Sequence, residues 1–432
     1  MWLSRYVNLF EVKNEFFVYN SLNRSILQID KSLYEFFNKY KNTRQEIQLD
    51  CDEETISILK KKDIVISHEE DDIKLCLDIT NYNRTRKDFR HITIAPTMDC
   101  CFNCYYCFEK NKKKQYIKEE AIKSIIEQIR VDKSLKHLHI TWFGGEPLMA
   151  KESILKFSEE LFKVYRGLYS SDIITNGWYL DKEAIEILKQ AKISEIQVSL
   201  ESSRYRHNQI KKKKNIDVYE KILENVELLI EQFPEINVII RINFSKMEIE
   251  NFISSYKYIK ERFKTNRIHI SPGFLISRNC QSINDFDNIY FSHDDKLKFF
   301  IDLWYKYRIP LGKVKYNDYS SECATRNPNS IVIDPVGGIY RCWEQIGDTS
   351  KRVGKMTSKG INREIAIEDE IKKELQLTDP IRDTDCMSCS FLPLCCQGCP
   401  LEKLKKKEGY CQNLYYNLIR CHLEYTLTQN KN

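Results

Sequence analysis

Residues 100–107 read CCFNCYYC, four thiols in eight residues, inside the longer run TIAPTMDCCFNCYYCFEK. Thiolates bind soft metals and carry redox chemistry, and these lie close enough in sequence to serve one site. Cys100, Cys104 and Cys107 have the spacing C-x3-C-x2-C. Three thiolates on one loop can hold three irons of a [4Fe–4S] cubane and leave the fourth iron open to another molecule. Cys101 falls outside that spacing and reads as a bystander.

A second group runs from Cys323 to Cys421. CMSCSFLPLCCQGCP holds Cys386, Cys389, Cys395 and Cys399 in the pattern C-x2-C-x5-C-x3-C, with Cys396 as an extra. Cys342 closes IVIDPVGGIYRC, and Cys411 and Cys421 follow downstream. Pairs of this kind also build zinc ribbons, so the block alone leaves zinc and iron open. Cys51, Cys76 and Cys280 stand alone and read as small buried hydrophobes.

Sixteen cysteines in 432 residues bear on compartment. The start, MWLSRYVNLFEVKNEFF, has no basic stretch followed by an apolar run, and no segment reaches 18 consecutive apolar residues. The expectation is a cytoplasmic chain with reduced thiols and no membrane partner. Its 68 Lys and Arg against 62 Asp and Glu give no reason to expect nucleic acid. The runs KNKKK at 110–114 and KKKK at 211–214 read as solvated loop faces.

The elements that must position these residues alternate from about residue 90. HITIAP, HLHITWF, SDIITNG, EIQVSLES, INVIIRINF and RIHISPGF read as strands, each leading to a helical stretch. Six such units imply a parallel sheet in an α/β fold, an open, partial (β/α)6 barrel of the TIM type. Chemistry in such sheets collects at the C-terminal strand ends, where Cys100, Gly144, Asn176, Glu201 and Arg241 fall. Residues 1–88 read differently. YVNLFEVKNEFFVYNS is a hairpin around Lys13-Asn14, Asp30 caps a helix carrying Leu33, Phe36 and Phe37, and DEETISILKKKDIVIS is a helix then a strand. That order predicts a small winged-helix-like domain, with HEEDDIK and NYNRTRKDF as the connection onward. After about 312 the pattern decays into turns, lysines and cysteines, a region that needs metal staples.

The cysteine spacing after the first barrel strand, with TWFGGEPLM, ITNG at 174–177 and VSLES at 198–202, resembles the radical S-adenosylmethionine (SAM) superfamily. The resemblance implies a [4Fe–4S] cluster that binds SAM. It gives Gly144, Gly145 and Glu146 to the methionine amino group, Asn176 and Ser199 to the ribose, and Arg241 to the carboxylate. Tyr106 joins the same cofactor site. The family commonly has Asp where Glu201 stands and Arg where His207-Asn208 leads to Lys211. His207 itself reads as a loop histidine holding its own backbone.

The C-terminal cysteines resemble the SPASM domain, which carries two auxiliary [4Fe–4S] clusters, and beside the first motif zinc recedes. The resemblance gives Cys386, Cys389, Cys395 and Cys421 to the distal cluster. Cys323, Cys342 and Cys399 go to the nearer one, which keeps an open iron if Cys411 stays away. The expected domains are 1–88 for leader recognition, 89–311 for the barrel and 312–432 for SPASM. Residues 1–88 resemble the recognition element of maturases of ribosomally made, modified peptides. The implied partners are a precursor peptide and an electron donor such as flavodoxin or ferredoxin. The implied reaction cleaves SAM to a 5′-deoxyadenosyl radical and forms a thioether or carbon–carbon cross-link. The alternatives are an anaerobic sulfatase maturase forming formylglycine, or a zinc-dependent binding protein. The sulfatase maturases place Asp after the cysteine matching Cys342, where this chain has Trp343 and then Glu344.

Overall fold

The computed structural model describes residues 1–109, 113–275, 289–309, 323–357, 359–395, 399–405 and 414–429. Packing divides the chain into two compact units. One joins residues 1–85, 297–327 and 372–432, and the other joins 86–296 with 328–371.

The first unit begins with β1 (Trp2–Leu3), β2 (Val7–Val12), β3 (Glu15–Asn20), β4 (Ile26–Ile29) and, later, β5 (Val65–Ile66). Lys13 and Asn14 both have positive φ (53° and 63°), as a two-residue hairpin turn between twisted strands requires. β2, β3 and β4 form an antiparallel sheet, and Asp30 accepts from the Leu33 amide to cap the helix Lys31–Tyr40. The sheet is buried on both faces. Leu9 and Val18 pack with Leu33, Phe37, Leu59 and Ile64, while Phe10, Val12, Phe17 and Tyr19 pack with Phe391, Leu394, Ile419 and Leu423. The N-terminal segment therefore shares a core with the C-terminal one.

The expected connection is instead a fifteen-residue helix, Asp71–Thr85. Its anchors are polar, which hid it from hydrophobic periodicity. Buried Asp72 accepts from Ser4 Oγ, the Arg5 amide and Arg5 Nε, and Arg84 makes a bidentate pair with Asp379.

The second unit holds β6 (Phe89–Thr97), β7 (His137–Gly144), β8 (Leu168–Thr175), β9 (Glu195–Glu201), β10 (Asn237–Phe244) and β11 (Ile268–Phe274). They pair in parallel and in chain order. Helices 119–131, 151–164, 182–190, 218–232 and 249–262 separate them, which is the expected partial (β/α)6 barrel. Beyond the expectation, β12 (Ser330–Ile333) pairs in parallel with β6, and β13 (Gly338–Tyr340), β14 (Gly354–Thr357) and β15 (Gly360–Arg363) extend the sheet antiparallel.

Strand alternation separates two chemistries. Ile92, Ile94, Ile140, Trp142, Ile173, Ile196, Val198, Val238 and Ile240 are fully or nearly fully buried, with Trp142 edge-on to Phe157 of the helix Lys151–Val164. The other face carries His91, Thr141, Asp172, Gln197, Ser199 and Arg241, set side by side by register. That polar face leads to the cysteine loop.

Candidate functional site: a thiol loop above a polar sheet face

β6 delivers the chain into the cysteine loop, and β7 holds that loop by backbone contact. The amides of Gly145 and Glu146 donate to the Thr97 and Asp99 carbonyls at 3.1 and 2.8 Å. Gly144 has φ +121°, and a Cβ there would lie 2.3 Å from the Thr97 oxygen; at Gly145 it would lie 2.2 Å from the Asp99 oxygen. The Gly-Gly pair is thus demanded by the loop backbone itself.

Glu146 is fully buried. Its carboxylate accepts from Thr175 Oγ1 (2.6 Å), the Asn176 amide (2.7 Å) and the Leu148 amide (3.0 Å). Burial pushes its pKa up to about 7 against the pull of those donors. In this geometry Glu146 braces the β7 end against the β8 end, and about one of its four or so acceptor positions remains for another donor. Asn176 then turns its amide to the thiols, 3.7 Å from Cys100 Sγ and 3.5 Å from Cys101 Sγ.

The remaining expected contacts fall into one network. Tyr106 donates to Glu201 at 2.5 Å and accepts from Asn243, which itself accepts from Arg241 Nε at 3.4 Å. Lys211 reaches Glu201 at 3.3 Å and the Ser199 carbonyl at 2.7 Å. Lys211 and Glu201 side chains are only 4% and 2% exposed, so the pair is internal. His207 accepts from the Glu201 amide through Nδ1, and burial pushes its pKa well below the ordinary range. It is a neutral, backbone-holding histidine.

The run 211–214 is therefore not uniformly a solvated face. Lys213 donates to the Cys101 carbonyl at 3.3 Å, and its ammonium lies 5.4 Å from the Phe102 ring and 5.6 Å from the Trp178 ring. One cation thus ties the loops after β6, β8 and β9 together. Lys212 and Lys214 are exposed. Nothing in KKKK separates the two kinds; only the preceding helix Arg204–Ile210 does, by setting which lysines turn inward.

Three thiols on one loop are the donor type a cluster takes. The hydrogen bond from Cys101 pulls the Cys100 thiol down to about 6, with Lys211 acting in the same direction, while burial pushes Cys104 up to about 12. Among the described residues no three His, Cys, Asp or Glu side chains converge on a single metal ion. A cubane asks for one thiolate per iron, so its donors stand apart. Beside the loop, Phe143 on β7 stacks between Phe108 and Trp343, with centroids 6.2 and 5.3 Å away.

The C-terminal cysteines divide between the units. Cys323, Cys386, Cys389, Cys399 and Cys421 lie in the first and Cys342 in the second. The Phe391 amide donates to Cys389 Sγ at 3.4 Å, Cys323 Sγ lies 3.2 Å from Thr325 Oγ1, and Cys421 is buried, which pushes its thiol up to about 11. Cys395 ends the short helix Leu392–Cys395, its side chain outside the described set. Cys280, Cys396 and Cys411 also lie outside the described residues. Among the described residues no helix is long and apolar enough to cross a membrane.

Comparison with known proteins agrees with this geometry. A family profile described as the Radical SAM superfamily matches residues 94–273. The radical SAM cyclopropyl synthase TigE of Paramaledivibacter caminithermalis is 23% identical over 98% of this chain and 95% of its own length. A serine-type anaerobic sulfatase-maturating enzyme of Bacteroides thetaiotaomicron is 26% identical over 38% of this chain and 41% of its own. The solved structure of native anSMEcpe with bound AdoMet and Cp18Cys peptide superposes with a TM-score of 0.58 at 20% identity, covering 78% of this chain and 97% of that one. The last similarity is one of fold. The loop of three spaced thiols and the polar strand ends below it all fall within residues 94–273, the stretch that matches the Radical SAM superfamily profile.

Proposed function

We propose that this enzyme matures a ribosomally made precursor peptide by closing a cross-link at an unactivated C–H carbon. The observation that carries the reading is the end-to-end similarity to a cyclopropyl synthase, whose name describes a ring closed by carbon–carbon bond formation. The sulfatase-maturase similarity reaches only 38% of the chain, and Trp343 stands where that family places its aspartate.

A [4Fe–4S] cluster held by Cys100, Cys104 and Cys107 would supply an electron to SAM and so the 5′-deoxyadenosyl radical. The chain's own residues position and exclude. Asn176, Ser199, Tyr106 and Arg241 are assigned to SAM, Glu146 and Gly144–Gly145 to fixing the strand end, and Phe143, stacked with Trp343, to walling one side. Cys323, Cys342, Cys386, Cys389, Cys395, Cys399 and Cys421 are assigned to two auxiliary clusters, which would take up electrons left after cross-linking. The leader peptide is assigned to the N-terminal sheet, where β4 is an edge strand with Ile26 exposed, by strand addition. Deleting residues 1–88 would uncover the core they share with Phe391 and Ile419, so it does not isolate binding.

The test is co-expression with short precursor peptides encoded beside the gene, read by mass spectrometry. A peptide lighter by two hydrogens, with 5′-deoxyadenosine formed, is expected. Deoxyadenosine formation with every peptide left at its original mass would sink the reading.

A further inference from the structure

Three strands of the polar sheet face carry a hydrogen-bond network that the cofactor site does not use. Register sets His91, His139 and Ser170 side by side on β6, β7 and β8, and Thr141 and Asp172 one rung nearer the thiols. Thr141 Oγ1 donates to Asp172 Oδ1 at 2.7 Å, and His139 Nε2 meets the same oxygen at 2.8 Å. Behind them, His91 Nε2 stands 2.9 Å from Thr141 Oγ1, and Ser170 Oγ stands 2.7 Å from His139 Nδ1.

One proton assignment satisfies every contact. Both imidazoles carry Nε2–H, the Thr141 hydroxyl donates onward to Asp172, and the Ser170 hydroxyl donates to His139 Nδ1. Burial, with His139 nearby, pushes the pKa of His91 down to about 4, so it is the neutral imidazole this assignment needs. All donors then point toward Oδ1. Oδ2 makes no hydrogen bond among the described residues, while the Asp172 side chain keeps 23% of its surface exposed. Asp172 lies on β8 four residues before Asn176, about 13 Å further from the thiols along the chain. A carboxylate oriented through one oxygen and open at the other, on the wall below a radical site, is placed to take a proton from a bound molecule.

We propose that Asp172 is the proton acceptor of the oxidative step, a catalytic residue, with His139 and Thr141 as its positioning residues and His91 and Ser170 behind them. The proposal rests on the maturase reading above. Joining an X–H group and a C–H carbon as an X–C bond removes two hydrogens. One leaves as a hydrogen atom to the 5′-deoxyadenosyl radical, giving 5′-deoxyadenosine. The other leaves as an electron, accepted by an oxidised iron–sulfur cluster, and a proton, accepted by Asp172 Oδ2.

The experiment uses the anaerobically reconstituted full chain and the precursor peptide found by co-expression, deuterated at the modified carbon. In Asp172→Asn, deuterium should enter 5′-deoxyadenosine while the ratio of cross-linked product to deoxyadenosine falls by about a hundredfold or more, the low end of what a lost acid–base group removes. Ser170→Ala, at the exposed start of β8, should lower the same ratio by less. A wild-type ratio in Asp172→Asn overturns the proposal and leaves the maturase reading intact. No product from the wild-type enzyme with any peptide overturns that reading, and the acceptor role with it. Should Asp172→Asn fail to fold, Ser170→Ala decides: a lowered ratio supports the role and an unchanged ratio overturns it.

Discussion

Cys100–Cys107 hang from the end of a parallel strand, whereas Cys386, Cys395 and Cys399 sit on or beside helices of five, four and six residues. The first loop is tied by hydrogen bonds from the chain itself. Gly145 and Glu146 bind the Thr97 and Asp99 carbonyls, Cys100 bonds to the Asp99 side chain, and Lys213 holds the Cys101 carbonyl. Helices shorter than about 12 residues do not hold in water by themselves, so the second region depends on what else grips it. If both regions hold clusters as proposed, the contrast predicts that metal adds chemistry to the first loop and fold to the second.

The largest effect that would test this contrast is chemical. Replacing Cys100, Cys104 and Cys107 together with Ala should abolish 5′-deoxyadenosine formation, measured by liquid chromatography, while amides of β6 to β11 keep their hydrogen-exchange protection. Deoxyadenosine from the triple variant, or loss of barrel protection, breaks the comparison. Next comes iron removal by a chelator. Residues 384–405 should lose exchange protection while β7 and β8 retain it, since structural metal binding is folding free energy. Equal loss in both regions would show that the barrel loop is no more pre-organised than the short helices. The smallest effect is purely structural. Lys211→Met leaves Glu201 buried without its cation and should lower stability to denaturant by about 3–5 kcal/mol. The double variant with Glu201→Gln should recover part of that, and an undiminished single variant would refute the internal pairing.

Much of the site was legible because its residues sit in a local pattern. The C-x3-C-x2-C spacing and the six strand–helix alternations need no knowledge of register; Asn176 and Arg241 are read as strand-end residues and Ser199 through the family resemblance, and the structure places Ser199 and Arg241 within β9 and β10. What escaped depends on pairing across strands or on which way a side chain turns. His139, Thr141 and Asp172 look like ordinary polar positions of half-buried strands until register places Thr141 beside Asp172. Lys211 and Lys213 share a run with exposed lysines, and composition cannot say which is internal. The helix Asp71–Thr85 was missed because its anchors, Asp72 and Arg84, are charged, and charge at those positions reads as loop. β12 was missed for a different reason: a four-residue strand gains its partner, β6, from more than 200 residues away.

The close approach of Gly144 and Gly145 to the Thr97 and Asp99 carbonyls also bears on how this scaffold can be re-engineered. A Cβ at 2.3 or 2.2 Å from a backbone oxygen leaves no clearance for even alanine, so a saturation library should recover only glycine at both positions. That intolerance comes from the backbone packed against them, and it would persist whatever molecule the enzyme were asked to accept. Diversity aimed at new selectivity belongs lower on the wall, at side chains such as Gln197 and Ile239, which are partly exposed and, among the described residues, paired through their backbones.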